Sequence, residues 1–285
     1  MRYVRRFLAM GALLAAAGCS DGGSSDGATS PAMFENAYTP RTNMADTLAT
    51  VSTVGSIRAQ SVAYRFDQVA TSSAAGGRVA RLMARVDRAY LGDGVATSPY
   101  SLERLFRAAV TQGQAATERA ARDVARQPVE NVPLVVLHLA MHTELGAAAA
   151  AARSGDWATA SASWDRAAAY WSGLEASTRL RATQPADAAW GPSGPSTLTD
   201  DDMAGRMIEM LARGRGAVDA KARRAVVETA GALAVYGTKY FYLSMVHEAF
   251  EVEEARGKGE STTLEFTEGV ALSEGVSLTF DPSAA

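Results

Sequence analysis

The chain has 285 residues, of which 47% are hydrophobic, so it can bury a substantial core. Its 28 basic and 31 acidic residues give a net charge of −3, which argues against a nucleic-acid binder built on a basic surface. The one cysteine excludes a disulfide framework and leaves no thiolate set for an iron–sulfur or copper(I) site.

Residues 1–19 read MRYVRRFLAMGALLAAAGC: a basic start, a short apolar run, then small residues before Cys19. The order is that of a secretory signal, and the run is too short and too alanine-rich for a membrane anchor. It resembles a bacterial lipoprotein signal, with residues 1–18 removed and Cys19 lipidated, although Ala16 stands where Leu is usual. Taking Arg2, Arg5 and Arg6 away leaves 25 basic against 31 acidic residues, a net charge of about −6. Residues 19–43 are rich in Gly, Ser, Asp and Pro and read as a flexible tether to a folded body over 44–280.

The body reads as helical throughout. Leu48, Val51, Val54, Ile57, Val62 and Phe66 recur at helical spacing over 46–69, with Gly76-Gly77 as the break. Val79, Leu82, Met83, Val86 and Tyr90 mark an amphipathic helix over 78–90. Ser101 begins a helix expected to run to about Gln127, and Pro133 is expected just inside the start of the next. That next helix carries HLAMHTE (138–144) in a run apolar nearly all round, the mark of a central, buried helix. Ser154-Gly155 ends it, and Asp156 caps the next, which holds Trp157, Trp164 and Trp171. Residues 184–197 read as a Pro/Gly loop within one domain. Thr199 and Asp202 resemble a capping box before the stripe Met203, Met207, Met210 and Leu211. A long helix over 217–255 is expected, interrupted only at Gly231 and Gly237, and a last one begins near Ser261. The fold class is therefore an all-α, single-domain multi-helix bundle. No strand pattern, GxGxxG, Walker loop, GxSxG or HExxH is present, so an enzyme is not expected.

Only three histidines occur. His138 and His142 lie four apart, one turn apart on one helix face. A buried imidazole must be hydrogen-bonded or coordinate something; the alternatives are two satisfied core histidines or a pair of metal ligands. Glu144 lies about 200° round the helix from His142 and falls outside that site. His247, Glu248 and Glu251 form a second candidate group late in the chain, with a solvated acidic helix end as the plainer reading. Glu265 and Glu268 make a third, weaker acidic pair. Bundles build metal sites from such residues on facing helices, and imidazole with carboxylate suits iron, zinc or manganese.

Two segments carry a resemblance: HTELGAAAAAARSGDWATASASWDRAAAYWSGLE (142–175) and YGTKYFYLSMVHEAFEVEEARGKGESTTLEFTEGVALSEGV (236–276). At Gly155, Asp156, Trp157, Trp164, Asp165, Tyr170, Gly173, Tyr240, Glu268 and Gly269 they resemble the iron-assimilating, low-iron-inducible periplasmic proteins. The resemblance implies iron binding in uptake outside the cytoplasm, without catalysis. A likeness of 155–171 to one tetratricopeptide helix has no second copy, and the HxxE motif of imelysin-like lipoproteins is missing, with Met141, Leu145 and Phe250 in the place of its Glu.

The expectation is a lipid-anchored envelope protein of the bacterial outer membrane, facing the periplasm or the cell surface. It would bind a metal ion, iron first, through His138, His142, His247, Glu248 and Glu251, and pass it to an envelope metal transporter. The competing expectation is a metal-free helical lipoprotein that acts as a protein-interaction module.

Overall fold

The computed structural model describes residues 37–92, 98, 101–182 and 203–280. The signal (1–18), Cys19, most of the tether, the 184–197 loop and the Thr199/Asp202 cap lie outside the described residues.

Among the described residues there are nine helices and no strand. They are α1 (Ala45–Val62), α2 (Phe66–Ser72), α3 (Arg78–Leu91), α4 (Leu102–Ala115), α5 (Arg119–Ser154), α6 (Trp157–Ala182), α7 (Met203–Asp219), α8 (Arg223–Gly257) and α9 (Thr263–Phe280). The fold is an all-α bundle.

Helix α5 is the axis. It packs against α1, α3, α4, α6, α8 and α9, and its middle, Val132 to Met141, is buried residue after residue. It is also the one helix among the described residues long and apolar enough to cross a membrane. However, 72% of its most apolar window is buried inside the protein, as befits a core helix.

Local chemistry fixes several boundaries. The Ser101 side chain accepts a hydrogen bond from the Arg104 amide at 3.2 Å and caps α4. Buried Asp87 reinforces that end, accepting from the Leu102 amide at 2.9 Å, the Glu103 amide at 3.1 Å and the Ser101 hydroxyl at 2.8 Å. Gly155 takes a left-handed φ of 82° and ends α5, and Asp156 accepts from the Thr159 amide at 3.1 Å.

Other boundaries differ from expectation. The first helix stops at Val62, because Tyr64 turns left-handed (φ 55°) and hands its hydroxyl to Asp123 on α5. Phe66 then fills the space beside Gly113, where a Cβ would lie 2.4 Å from its ring. The expected helix from Ser101 to Gln127 is split at Ala116–Glu118, and α5 starts at Arg119, so Pro128 and Pro133 sit inside it. Each proline removes one helical bond, a cost of about 3 kcal/mol that burial along so long a helix offsets. The expected helix over 217–255 breaks at Lys221 (φ 53°), yet α8 runs unbroken through Gly231 and Gly237.

Candidate functional site

The interior between α5, α8 and α9 holds the histidine pair. His138 is fully buried, and neither ring nitrogen has a hydrogen-bond partner. Its ring centroid lies 4.4 Å from that of His142 and 4.5 Å from that of Phe241 on α8. Gly237 makes this approach possible: a Cβ there would stand 2.8 Å from Met141 Cε and 3.3 Å from His138 Nδ1.

His142 is better served. Its Nε2 lies 3.4 Å from Thr238 Oγ1, while the Thr238 hydroxyl donates to the Ala234 carbonyl at 2.9 Å. That hydroxyl has one proton, so toward His142 it accepts, and the ring carries its hydrogen on Nε2 with Nδ1 left as a lone pair. Burial holds His138 well below the usual imidazole range, with the His142 charge adding to it. Burial also brings His142 down to about 4, opposed by the Ala234 carbonyl. Both rings are therefore neutral at pH 7, the form that ligates metals.

The remaining sequence candidates take other directions. On α8, residues 237, 241, 244 and 248 share the inward face, and His247 lies about 120° round from Phe241. His247 Nε2 stands 3.8 Å from Glu251 Oε1, one turn on, at the rim. Glu248 points inward and is buried, with Gly269 of α9 closing over it: a Cβ on that glycine would be 3.3 Å from the Glu248 Cβ. Among the described residues no three His, Cys, Asp or Glu side chains form a group able to hold a metal ion. The expected convergence of His138, His142, His247, Glu248 and Glu251 on one point is thus not found among the described residues; of the five, His138 and His142 stand together ring to ring. Glu144 goes to the other side of α5, where it bridges Arg85 at 3.3 Å and Arg166 at 2.8 Å.

Three further polar clusters escaped the sequence reading. Glu130 lies two turns before His138, with its Oε1 3.4 Å from Arg126 Nε. Burial raises it to about 7 against the pull of Arg126 and Arg58, with Glu268 and Asp123 pushing the same way as burial. Burial likewise raises Glu274 on α9 to about 7, helped by the charge of Asp87. Asp165 on α6 is fully buried and gathers the start of the chain. It accepts from the Tyr38 hydroxyl at 2.5 Å, the Arg41 amide at 2.9 Å and the Thr42 amide at 2.8 Å. The Thr42 hydroxyl at 2.7 Å and Arg215 at 3.3 Å complete the set.

The residues that carried the family resemblance have structural work in this chain. Trp164 Nε1 donates to the Leu211 carbonyl at 3.0 Å, its ring fitting over Gly214, where a Cβ would lie 1.8 Å away. Tyr170 accepts from Arg85 at 2.7 Å, and Gly173 admits Leu137 and Val51. Comparison with protein-family models, with curated proteins and with solved structures gave no match.

Proposed function

We propose that this chain is an exported helical protein, tethered to the cell envelope through a lipid on Cys19, that binds a metal ion at His138 and His142. The observation that supports the reading is His138: a fully buried imidazole with two unpartnered ring nitrogens, one turn from a second neutral imidazole. An apolar residue would fill that place at lower cost, since an unsatisfied buried polar group costs about 1–3 kcal/mol. A ligand that accepts nitrogen lone pairs explains why two histidines stand there.

Iron, zinc and manganese all suit imidazole donors, and the resemblance favours iron. The pair fits as part of such a set: both rings present lone pairs without first losing a proton. The ion would be cargo, bound and handed to an envelope transporter, with no catalysis.

A second reading has its own support. Val235 (67% exposed) and Phe266 (62%) leave apolar surface on α8 and α9, as a protein-interaction module would.

The test is metal analysis of the purified mature protein beside His138→Ala/His142→Ala and the better-packed His138→Phe/His142→Leu. Bound metal in the wild type and loss in both folded variants supports metal binding. Equal metal content in all three removes the pair and leaves the interaction module.

A further inference from the structure

One end of the bundle gathers positive charge where the chain enters. Helices α6 and α7 are antiparallel: Trp164 bonds the Leu211 carbonyl at 3.0 Å, and Arg215 bonds the Ser161 hydroxyl at 2.9 Å and Asp165 at 3.3 Å. The start of α6 therefore lies beside the end of α7. The α5–α6 turn (154–156) and the α7–α8 turn (220–222) consequently form the same end of the molecule. Tyr38 to Thr42 are clamped at this end by Asp165, and Arg41 reaches Asp219 at 3.3 Å.

The charges there are unequal. Arg41, Arg153, Lys221, Arg223 and Arg224 are exposed on or next to these turns. Asp219 is spent on Arg41 and Arg215, Asp156 on the first turn of α6, and Glu228 on Arg224. Among the described residues the Arg153, Lys221 and Arg223 side chains have no ion-pair partner. Helix α8 has 35 residues and carries the chain about 50 Å to the other end. There the exposed carboxylates Glu253, Glu254 and Glu260 outnumber the exposed Arg256 and Lys258 around the α8–α9 turn. Among the described residues the two ends thus differ in their balance of charge, despite the net negative charge of the chain.

We propose that the end built by the α5–α6 and α7–α8 turns docks on anionic lipid headgroups, with the acidic α8–α9 end pointing away from the membrane. The occupant follows from two features. Ala37 stands only 18 positions after Cys19, so a lipid on Cys19 holds the clamped end within about 60 Å of a bilayer. Unpaired Arg and Lys side chains are what a surface of phosphatidylglycerol or cardiolipin attracts. The orientation rests on the anchored reading; the surface itself does not need the lipid.

The test uses the mature chain from residue 19 carrying Cys19→Ser, which leaves every described contact in place. Its co-sedimentation is measured with vesicles of phosphatidylcholine alone and of phosphatidylcholine mixed with phosphatidylglycerol. The unlipidated chain is expected to bind only the mixed vesicles. Arg153→Glu/Arg223→Glu should weaken this about tenfold, while Arg256→Glu/Lys258→Glu, the same charge change at the acidic end, leaves it unaltered. Equal binding to both vesicle types, no binding to either, or equal loss in the two double variants overturns the proposal. Labelling of Cys19 with radioactive palmitate in cells tests the anchor separately, so failure of one is distinct from failure of the other.

Discussion

His138 and His142 face each other one turn apart with ring centroids 4.4 Å apart, and the deeper ring, His138, has no hydrogen bond at all. Most buried histidines are held by a carboxylate or a carbonyl. Here Phe241, Met141 and the bare Cα of Gly237 surround the ring, and each is apolar.

Acid should therefore attack this core. His142 falls from 6.5 to about 4 in the folded state, and His138 is also lowered. Between those limits the unfolded chain binds more protons than the folded one. The stabilisation from neutral imidazoles is present above pH 6.5 and is lost as pH falls toward 4. For His142 alone the loss is on the order of 3 kcal/mol. Urea denaturation from pH 7 to 4 should show His142→Leu losing less stability than the wild type; parallel curves would show that the imidazole is not the sensitive group.

Glu130 works in the opposite sense. Its carboxyl is raised to about 7, so the folded state holds a proton that the unfolded state has released, and stability is lost as pH rises from 4.5 through 7. Glu130→Gln keeps the shape and removes the ionisation. The stability of the variant relative to wild type should improve by about 1–3 kcal/mol between pH 5 and pH 8. A pH-independent difference would mean that Arg126 and Arg58 keep the carboxylate charged throughout.

Asp165→Asn should loosen the entry of the chain. It removes the buried one of the two carboxylates that Arg215 meets, leaving Asp219 at 2.8 Å, and weakens the bonds from Tyr38, Arg41 and Thr42, which costs about 1–3 kcal/mol. Limited proteolysis should then cut near Tyr38–Thr42 under conditions where the wild type resists. Resistance equal to wild type would mean that the clamp is held by other contacts.

The glycines divide by what faces them. Gly214→Ala would meet Trp164 at 1.8 Å and should destabilise by about 3 kcal/mol or more. Gly231 and Gly146 are helical with nothing within 4 Å, so alanine there should stabilise by about 0.5–1 kcal/mol. Thermal denaturation of the three variants separates the two classes.

The helical class, the α3 stripe and the Ser101, Gly155 and Asp156 boundaries were legible because each rests on local chemistry. The break at Tyr64 was not: SVAYRFD contains no Gly or Pro, and the turn is held by Asp123, 59 residues away. The true start of α5 was hidden for the converse reason, since Pro133 looks like a helix start, yet it and Pro128 lie inside a buried helix. Gly231 and Gly237 looked like interruptions, but packing overrides their low propensity. At the site, the i, i+4 spacing placed His138 beside His142. Nothing in the local pattern could show that His247 turns to the rim while its neighbour Glu248 turns in, because the packing of α8 against α9 decides it.

The central claim is tested most directly by isothermal titration of the metal-stripped mature protein with Fe²⁺ and, separately, Zn²⁺. Because both imidazoles are already neutral, affinity should hold as pH drops from 7 to about 5 and fall only toward 4. The folded His138→Phe/His142→Leu variant should show no heat of binding. Undiminished binding in that variant, or none in the wild type, would contradict the account.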